Sequence, residues 1–292
     1  MKIIILGNGK WGTALGSLLT ENKKEFEFWK IGTEIPDNSI LINCLPTQVM
    51  RQVLENHGKN LKNFIFINGA KGIEQKTHKI PYEITADILG SNIDYFTLIG
   101  HGFAQEIVDK MPTLVNIGYV ESQNSNLVRD LFQTDYFRVR MVKEIKALEI
   151  AGGFKNVYAI ACGIADGLGY GANTKTKLIL IAIEEFYAFS KSMRMSINQD
   201  MLPGTIGDLI LTCGSQESRN FSFGQMLAKE EIKKALAEIG QTVEGFTTAD
   251  SIPYFEKTSN LKLNLAHFVY EVIKADKNRD VKRRFLEFVK RV

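Results

Sequence analysis

The chain has 292 residues, 45% of them hydrophobic and 24% charged, with a formal net charge of +3. That length suits two domains with a sizeable buried core, and a soluble globular protein is expected. Lys and Arg are scattered among Asp and Glu except between Lys277 and Arg291, where Phe285, Phe288 and Val289 recur at helical spacing; this segment reads as an amphipathic terminal helix, not a nucleic-acid patch.

Lys2-Ile3-Ile4-Ile5-Leu6 opens the chain as a strand, with no charged leader or small-residue cleavage site ahead of it, so a cytoplasmic location is expected. Gly7-Asn8-Gly9-Lys10-Trp11-Gly12 follows and runs into the helix-favouring Thr13-Ala14-Leu15, the strand-turn-helix setting that gives a G-x-G-x-x-G pattern meaning. Gly7 allows the tight turn, Gly9 lets a pyrophosphate approach the backbone, and Gly12 permits close helix-strand packing, with the helix N-terminus facing the phosphates.

Further strand-length apolar runs come at Phe26 to Trp29, Ile40 to Leu45, Phe64 to Asn68, Phe96 to Ile99 and Leu114 to Ile117, and helical stretches fall between them at Thr13 to Leu19, Thr47 to Glu55 and Tyr82 to Leu89. Continuous runs indicate strands covered on both faces. The expected class is therefore α/β, a Rossmann-type doubly wound sheet. Phe137 to Val142 alternates and reads as a half-exposed edge strand. An NAD site normally places Asp or Glu after the second strand, about 20 residues on; here Phe28-Trp29-Lys30 offers a cation, which tilts the choice slightly toward NADPH.

After about Lys143 the pattern turns helical, interrupted by glycine turns at Gly167 to Gly171, Gly204 and Gly214. The expected division is a dinucleotide-binding domain over 1–145 and an all-α substrate and catalytic domain over 146–292, joined through a helix with the active site in the cleft between them. Cys44, Cys162 and Cys213 lie far apart without Cys-x-x-Cys spacing, which argues against disulfides and structural zinc. The most apolar run, Leu178 to Ile183, is far short of the roughly 20 residues a spanning helix needs, so no membrane insertion is expected.

Gly152-Gly153-Phe154-Lys155-Asn156-Val157 places a lysine inside an apolar, small-residue run, where it must reach solvent, find an anion or lose its proton. Carbonyl reduction by a nicotinamide needs a proton donor where the alkoxide develops. Lys155 is the candidate donor, and Asp208 is the group to orient it. Lys71 sits in the post-strand turn Asn68 to Gly72, where the carboxyl ends of parallel strands meet a ligand. Arg219 offers a two-pronged grip on phosphate, with Ser218, Asn220 and Asn156 as neutral donors around it.

Gly7-x-Gly9-x-Trp11-Gly12-Thr13-Ala14-Leu15, Lys71-Gly72-Ile73-Glu74, Gly152 to Ala159, Gly167 to Asn173, Gly207-Asp208-Leu209, Thr212-Cys213, Ser218-Arg219-Asn220, Phe223-Gly224 and Val243-Glu244-Gly245 together resemble the bacterial NAD(P)-dependent glycerol-3-phosphate dehydrogenases over nearly the whole chain. The resemblance implies interconversion of dihydroxyacetone phosphate and sn-glycerol 3-phosphate, a small phosphorylated substrate, NAD(P)H as cofactor and a homodimer. It implies Lys155 as proton donor or acceptor, Lys71 at both nicotinamide and substrate, and Gly100, Asn156, Asp208, Ser218, Arg219 and Asn220 around the substrate. It implies Trp11, Arg219 and Glu244 as cofactor contacts, and the expected cofactor set is completed by Gly7, Gly9, Lys10 and Gly12 of the glycine turn, by Lys30 after the second strand and by Ala104.

Two departures stand out. The family usually reads Gly-Pro-Ser/Thr-Phe-Ala where this chain has Gly100-His101-Gly102-Phe103-Ala104, and only Ile31 to Ser39 stand where the family has a further helix and strand. The sheet is therefore expected to be trimmed at its adenine-side edge. The alternatives are a β-hydroxyacid or ketopantoate-type reductase of the same plan, or a non-catalytic nucleotide sensor.

Overall fold

The computed structural model describes residues 1–275 and 280–292; Lys277, at the head of the basic C-terminal segment, lies outside the described residues. Contacts divide the chain into two units, one of residues 1–71, 79–149 and 198–205, the other of 72–78, 150–197 and 206–292. The division expected at residue 145 therefore falls after Glu149, and two short segments cross it.

The first unit runs β1 (Lys2–Leu6), α1 (Lys10–Glu21), β2 (Glu27–Phe28), β3 (Ser39–Asn43), α2 (Thr47–His57), β4 (Phe64–Asn68), α3 (Pro81–Leu89), β5 (Asp94–Gly100), α4 (Ala104–Val108), β6 (Thr113–Gly118), α5 (Ser125–Phe132) and β7 (Phe137–Val142). The strands form one sheet in the order β2-β1-β3-β4-β5-β6-β7, parallel throughout except between β5 and β6. Successive residues of a strand face opposite ways, and each face is covered. Ile3, Ile5, Ile40, Ile42, Ile65 and Ile67 pack with Ala14, Leu15, Leu18 and Leu19 of α1 and Val128, Leu131 and Phe132 of α5. Ile4, Leu6, Leu41 and Phe66 pack with Met50 and Leu54 of α2 and Ile84 of α3. Burial on both faces is why these strands read as unbroken apolar runs.

The two edges behave differently. β7 is half-exposed, with only Phe137 and Val142 of its six residues buried. β2 is two exposed residues long and pairs only with β1. The strand expected from Phe26 to Trp29 is thus shorter, because no further strand or helix covers its outer side: residues 29–38 contain neither. Lys30 is exposed and stands two residues beyond the end of β2, in a turn closed by Trp29 Nε1 donating to Thr33 O at 3.0 Å. β3 also stops early, at Asn43, whose Oδ1 takes the Leu45 N–H at 3.3 Å and turns the chain.

α6 (Lys146–Gly167) begins in the first unit and carries the chain into the second, which continues with α7 (Ala172–Ser192), α8 (Asp208–Gly214), α9 (Arg219–Leu227), α10 (Ile232–Ile239), α11 (Glu244–Thr248), α12 (Ile252–Ser259), α13 (Asn264–Lys274) and α14 (Val281–Arg291). No strand occurs among its described residues. α6 and α9 cross in backbone contact: a Cβ on Gly163 would stand 2.0 Å from Phe221 O, and one on Gly224 2.2 Å from Ile160 O. Phe154, Phe189 and Phe255 pack edge to face or tilted at 5.1–5.6 Å between centroids. α14 is amphipathic as its spacing indicated, capped by the Asp280 side chain and burying Val281, Phe285 and Phe288. Among the described residues no helix is long and apolar enough to cross a membrane.

Candidate active site

In the sheet unit, the glycine turn is shaped as its sequence demands. Gly7 has φ +107°, a conformation that L side chains rarely adopt, and a Cβ on Gly12 would lie 2.0 Å from Gly7 O. Around Gly9, by contrast, nothing lies within 4 Å of where a Cβ would stand. Gly9 also caps the twelve-residue α1, whose first N–H groups open onto that space. Trp11 Nε1 is a buried donor with no hydrogen-bond partner. An open place over a helix N-terminus suits a pyrophosphate, so these residues fit a dinucleotide.

The carboxyl ends of β3, β4 and β5 carry a polar network beside this turn. Asn43 Nδ2 donates to Asn68 Oδ1 at 3.0 Å, and the same oxygen takes the Ala70 N–H at 3.0 Å. The next residue, Lys71, donates from Nζ to Gly100 O at 2.8 Å and lies 5.6 Å from the centre of the Trp11 ring. The structure therefore brings Trp11, Lys71 and Gly100 together. Ala104 opens α4 and packs against the sheet core, and Lys10 is exposed on the first turn of α1.

In the helical unit, Lys155 and Asp208 meet. Lys155 Nζ donates to Asp208 Oδ1 and to Thr212 Oγ1, both at 2.8 Å. Thr212 sends its own proton to Asp208 O at 2.6 Å, so its lone pair is what faces the ammonium. Two of the three ammonium protons are thereby occupied, and the third is not committed to either of these partners. Thr212 entered the sequence reading only as part of a motif; its i+4 relation to Asp208 on one helix face was the available signal.

The remaining residues of the helical unit are placed less uniformly. Asn220 Oδ1 accepts from Gly245 N at 2.9 Å, Asn220 Nδ2 donates to Asn156 Oδ1 at 3.0 Å, and Asn156 Nδ2 donates to Gly152 O at 3.2 Å. These amides brace α6, α9 and the start of α11, each keeping one N–H to spare. Ser218 caps α9, its Oγ accepting from Phe221 N at 3.3 Å. Arg219, the first residue of α9, is exposed and touches Gln241 Oε1 at 3.5 Å, and Glu244 opens α11. Burial pushes the Cys44 and Cys213 thiols up, so neither is a ready nucleophile. Among the described residues no group of three or more His, Cys, Asp or Glu side chains is arranged to hold a metal.

A protein from Staphylococcus aureus named glycerol-3-phosphate dehydrogenase (NAD(P)+) is 32% identical over 309 aligned positions, covering 93% of each chain. The chain belongs to the glycerol-3-phosphate dehydrogenase family. The family models described as NAD-dependent glycerol-3-phosphate dehydrogenase N-terminus and C-terminus match residues 33–125 and 144–282. The crystal structure of a glycerol-3-phosphate dehydrogenase from Coxiella burnetii superposes with a TM-score of 0.87 at 24% identity, covering 99% of this chain and 98% of that one. A ketopantoate reductase from Ralstonia eutropha reaches only 0.56 at 11% identity, with 99% and 100% covered. The dehydrogenase fold is thus matched far more closely than that of the alternative reductase.

Proposed function

We propose that this chain interconverts dihydroxyacetone phosphate and sn-glycerol 3-phosphate with NAD(P)H, in the cytoplasm and as a homodimer, supplying glycerophospholipid synthesis. The observation that carries the reading is the buried Lys155, held by Asp208 and Thr212 with one N–H to spare. When bound, NAD(P)H supplies the hydride that reaches the carbonyl carbon. Lys155 passes a proton to the carbonyl oxygen as negative charge gathers there, and in the reverse direction the neutral amine takes the alcohol proton. Asp208 and Thr212 together fix the direction of the Lys155 amino group.

Lys71 supplies a second positive charge at the reacting end, aimed by Gly100 O. Arg219, with Ser218, Asn156 and Asn220, takes the phosphate, a task for a planar guanidinium at the start of α9. Residues 1–145 hold the dinucleotide, through Gly7, Gly9, Lys10, Trp11, Gly12, Lys30 and Ala104 with Glu244 and Arg219 from the rest of the chain; residues 146–292 supply the substrate and proton chemistry. The test is a spectrophotometric assay of NADH and NADPH oxidation with dihydroxyacetone phosphate beside ketopantoate. Turnover confined to the phosphorylated ketone supports the reading. Turnover confined to the carboxylate transfers the chain's activity to the other reductase class.

A further inference from the structure

Glu149 is 1% exposed, at the start of α6 in the sheet unit, and every neighbour aimed at its carboxylate is a donor. Tyr95 OH donates to Oε1 at 2.5 Å, Asn68 Nδ2 to Oε1 at 3.2 Å, and Tyr82 N to Oε2 at 2.8 Å. Asn68 is the link to the reacting end. Its Nδ2 faces Glu149, Ala70 O at 3.1 Å and Thr97 Oγ1 at 3.4 Å, while its Oδ1 faces Ala70 N and Asn43 Nδ2. An amide turned end for end would lose both bonds that Oδ1 accepts, and an ionised carboxylate opposes that turn because it rewards Nδ2 and repels Oδ1. Ala70 is clamped at both its N–H and its C=O by this one side chain, and the next residue is Lys71.

We propose that Glu149 is a positioning residue for Lys71: ionised, it fixes the Asn68 amide, and the clamped Ala70 in turn holds the backbone that carries the Lys71 ammonium to Gly100 O. This rests on the role given to Lys71 above. Protonation weakens the arrangement, since the neutral acid no longer holds the Asn68 N–H by charge and its own proton is taken by the Tyr95 or Thr97 hydroxyl, which then ceases to donate. Burial opposes the charged form and pushes Glu149 up to about 7 against those donors, so the two forms exchange near neutral pH. The ionisable groups facing it are Tyr95 from β5 and Tyr82 from α3, whose rings meet at 5.1 Å; β4 and the rest of β5 present the neutral Asn68 and Thr97, and Lys146 on its own helix pairs with Glu83 at 3.6 Å.

The experiment uses Trp11 as a probe, because the Lys71 ammonium lies by its ring and Trp29 is the other of two tryptophans. In a Trp29→Phe background without substrate or cofactor, Trp11 emission should titrate near pH 7, and Glu149→Gln should abolish the transition. Tyr95→Phe removes one bond that favours the carboxylate, so the midpoint should move to higher pH. In parallel, kcat/KM for dihydroxyacetone phosphate should rise through the same pH in the unaltered chain, and should be flat and lower by about 10-fold or more in Glu149→Gln, the scale of a small misplacement of a reacting group. A folded Glu149→Gln protein with unchanged emission titration overturns the proposal; if that variant does not fold, an unmoved midpoint in Tyr95→Phe does so. Absent triose phosphate turnover with an intact, Glu149-dependent emission titration overturns the proposed function and leaves the positioning role standing.

Discussion

Lys155 Nζ and Asp208 Oδ1 lie 2.8 Å apart with 10% and 2% of their side chains exposed, which makes them an ion pair withdrawn from water. Such a pair is costly to break from one side. Removing one partner leaves an uncompensated buried charge, at a cost of about 3–5 kcal/mol, whereas removing both charges restores much of it. Lys155→Ala should therefore lose both stability and at least about 100-fold in turnover, the lower end for general acid-base catalysis. Lys155→Met combined with Asp208→Asn should recover most of the melting temperature while remaining inactive. A double variant that regained turnover would remove Lys155 from the proton transfer.

Gly9 and Gly12 should separate ligand binding from folding. Beyond its immediate chain neighbours, Gly9→Ala meets no atom within 4 Å, so its melting temperature should stay near that of the parent while NAD(P)H binding weakens. Gly12→Ala drives a Cβ to 2.0 Å from a backbone oxygen and should cost about 1–3 kcal/mol of stability as the helix shifts. Calorimetric unfolding and NADPH titration of both variants test the contrast. Equal cofactor affinity in Gly9→Ala and the parent would mean that no phosphate lies over that residue.

Fold stability should decline between about pH 4.5 and 7. Burial raises both Glu149 and Glu185 from 4.5 to about 7, so over that interval the folded state holds protons that the unfolded chain has released. Their contribution is fully present below about 4.5 and lost as pH rises through about 7. Asp87 and Asp166, held low by Lys79 and Lys175, act oppositely and only as pH falls below the usual carboxylate range of 3.8. Glu185→Gln keeps an oxygen for Leu265 N, which Glu185 meets at 2.6 Å, and should flatten the decline. Melting temperatures at pH 5 and 7.5 for both chains decide it; an unchanged difference would place the titration elsewhere.

Arg219→Lys keeps the charge but loses the planar two-bond grip on phosphate. KM for dihydroxyacetone phosphate should rise more than kcat falls. Steady-state kinetics showing an unchanged KM would take the phosphate away from α9.

NADPH should be preferred over NADH by less than tenfold, since Lys30 is an exposed side chain beyond the end of a two-residue edge strand. The ratio of kcat/KM for the two cofactors at one ionic strength measures this. A preference beyond about 100-fold in either direction would require a contact at the ribose from other residues.

The strand runs, the glycine turn and the change to helical pattern after Lys143 were legible because each is local: burial on both faces leaves an unbroken apolar run, and a positive φ or a 2.0 Å approach admits only glycine. The lost adenine-side strand was legible for the same reason, as too few residues between Lys30 and Ile40 to form one. Of what depended on distant partners, the Lys155–Asp208 pairing was legible and the rest was not. Ser218 was expected to serve phosphate and is also the cap of α9, Asn156 and Asn220 are engaged with each other, and Glu149 drew no notice until Asn68, Tyr82 and Tyr95 converged on it. Sequence by itself determined which side chains were chemically capable; tertiary structure decided which of their hydrogen bonds were already taken, because a buried polar group must be satisfied by whatever the fold brings beside it.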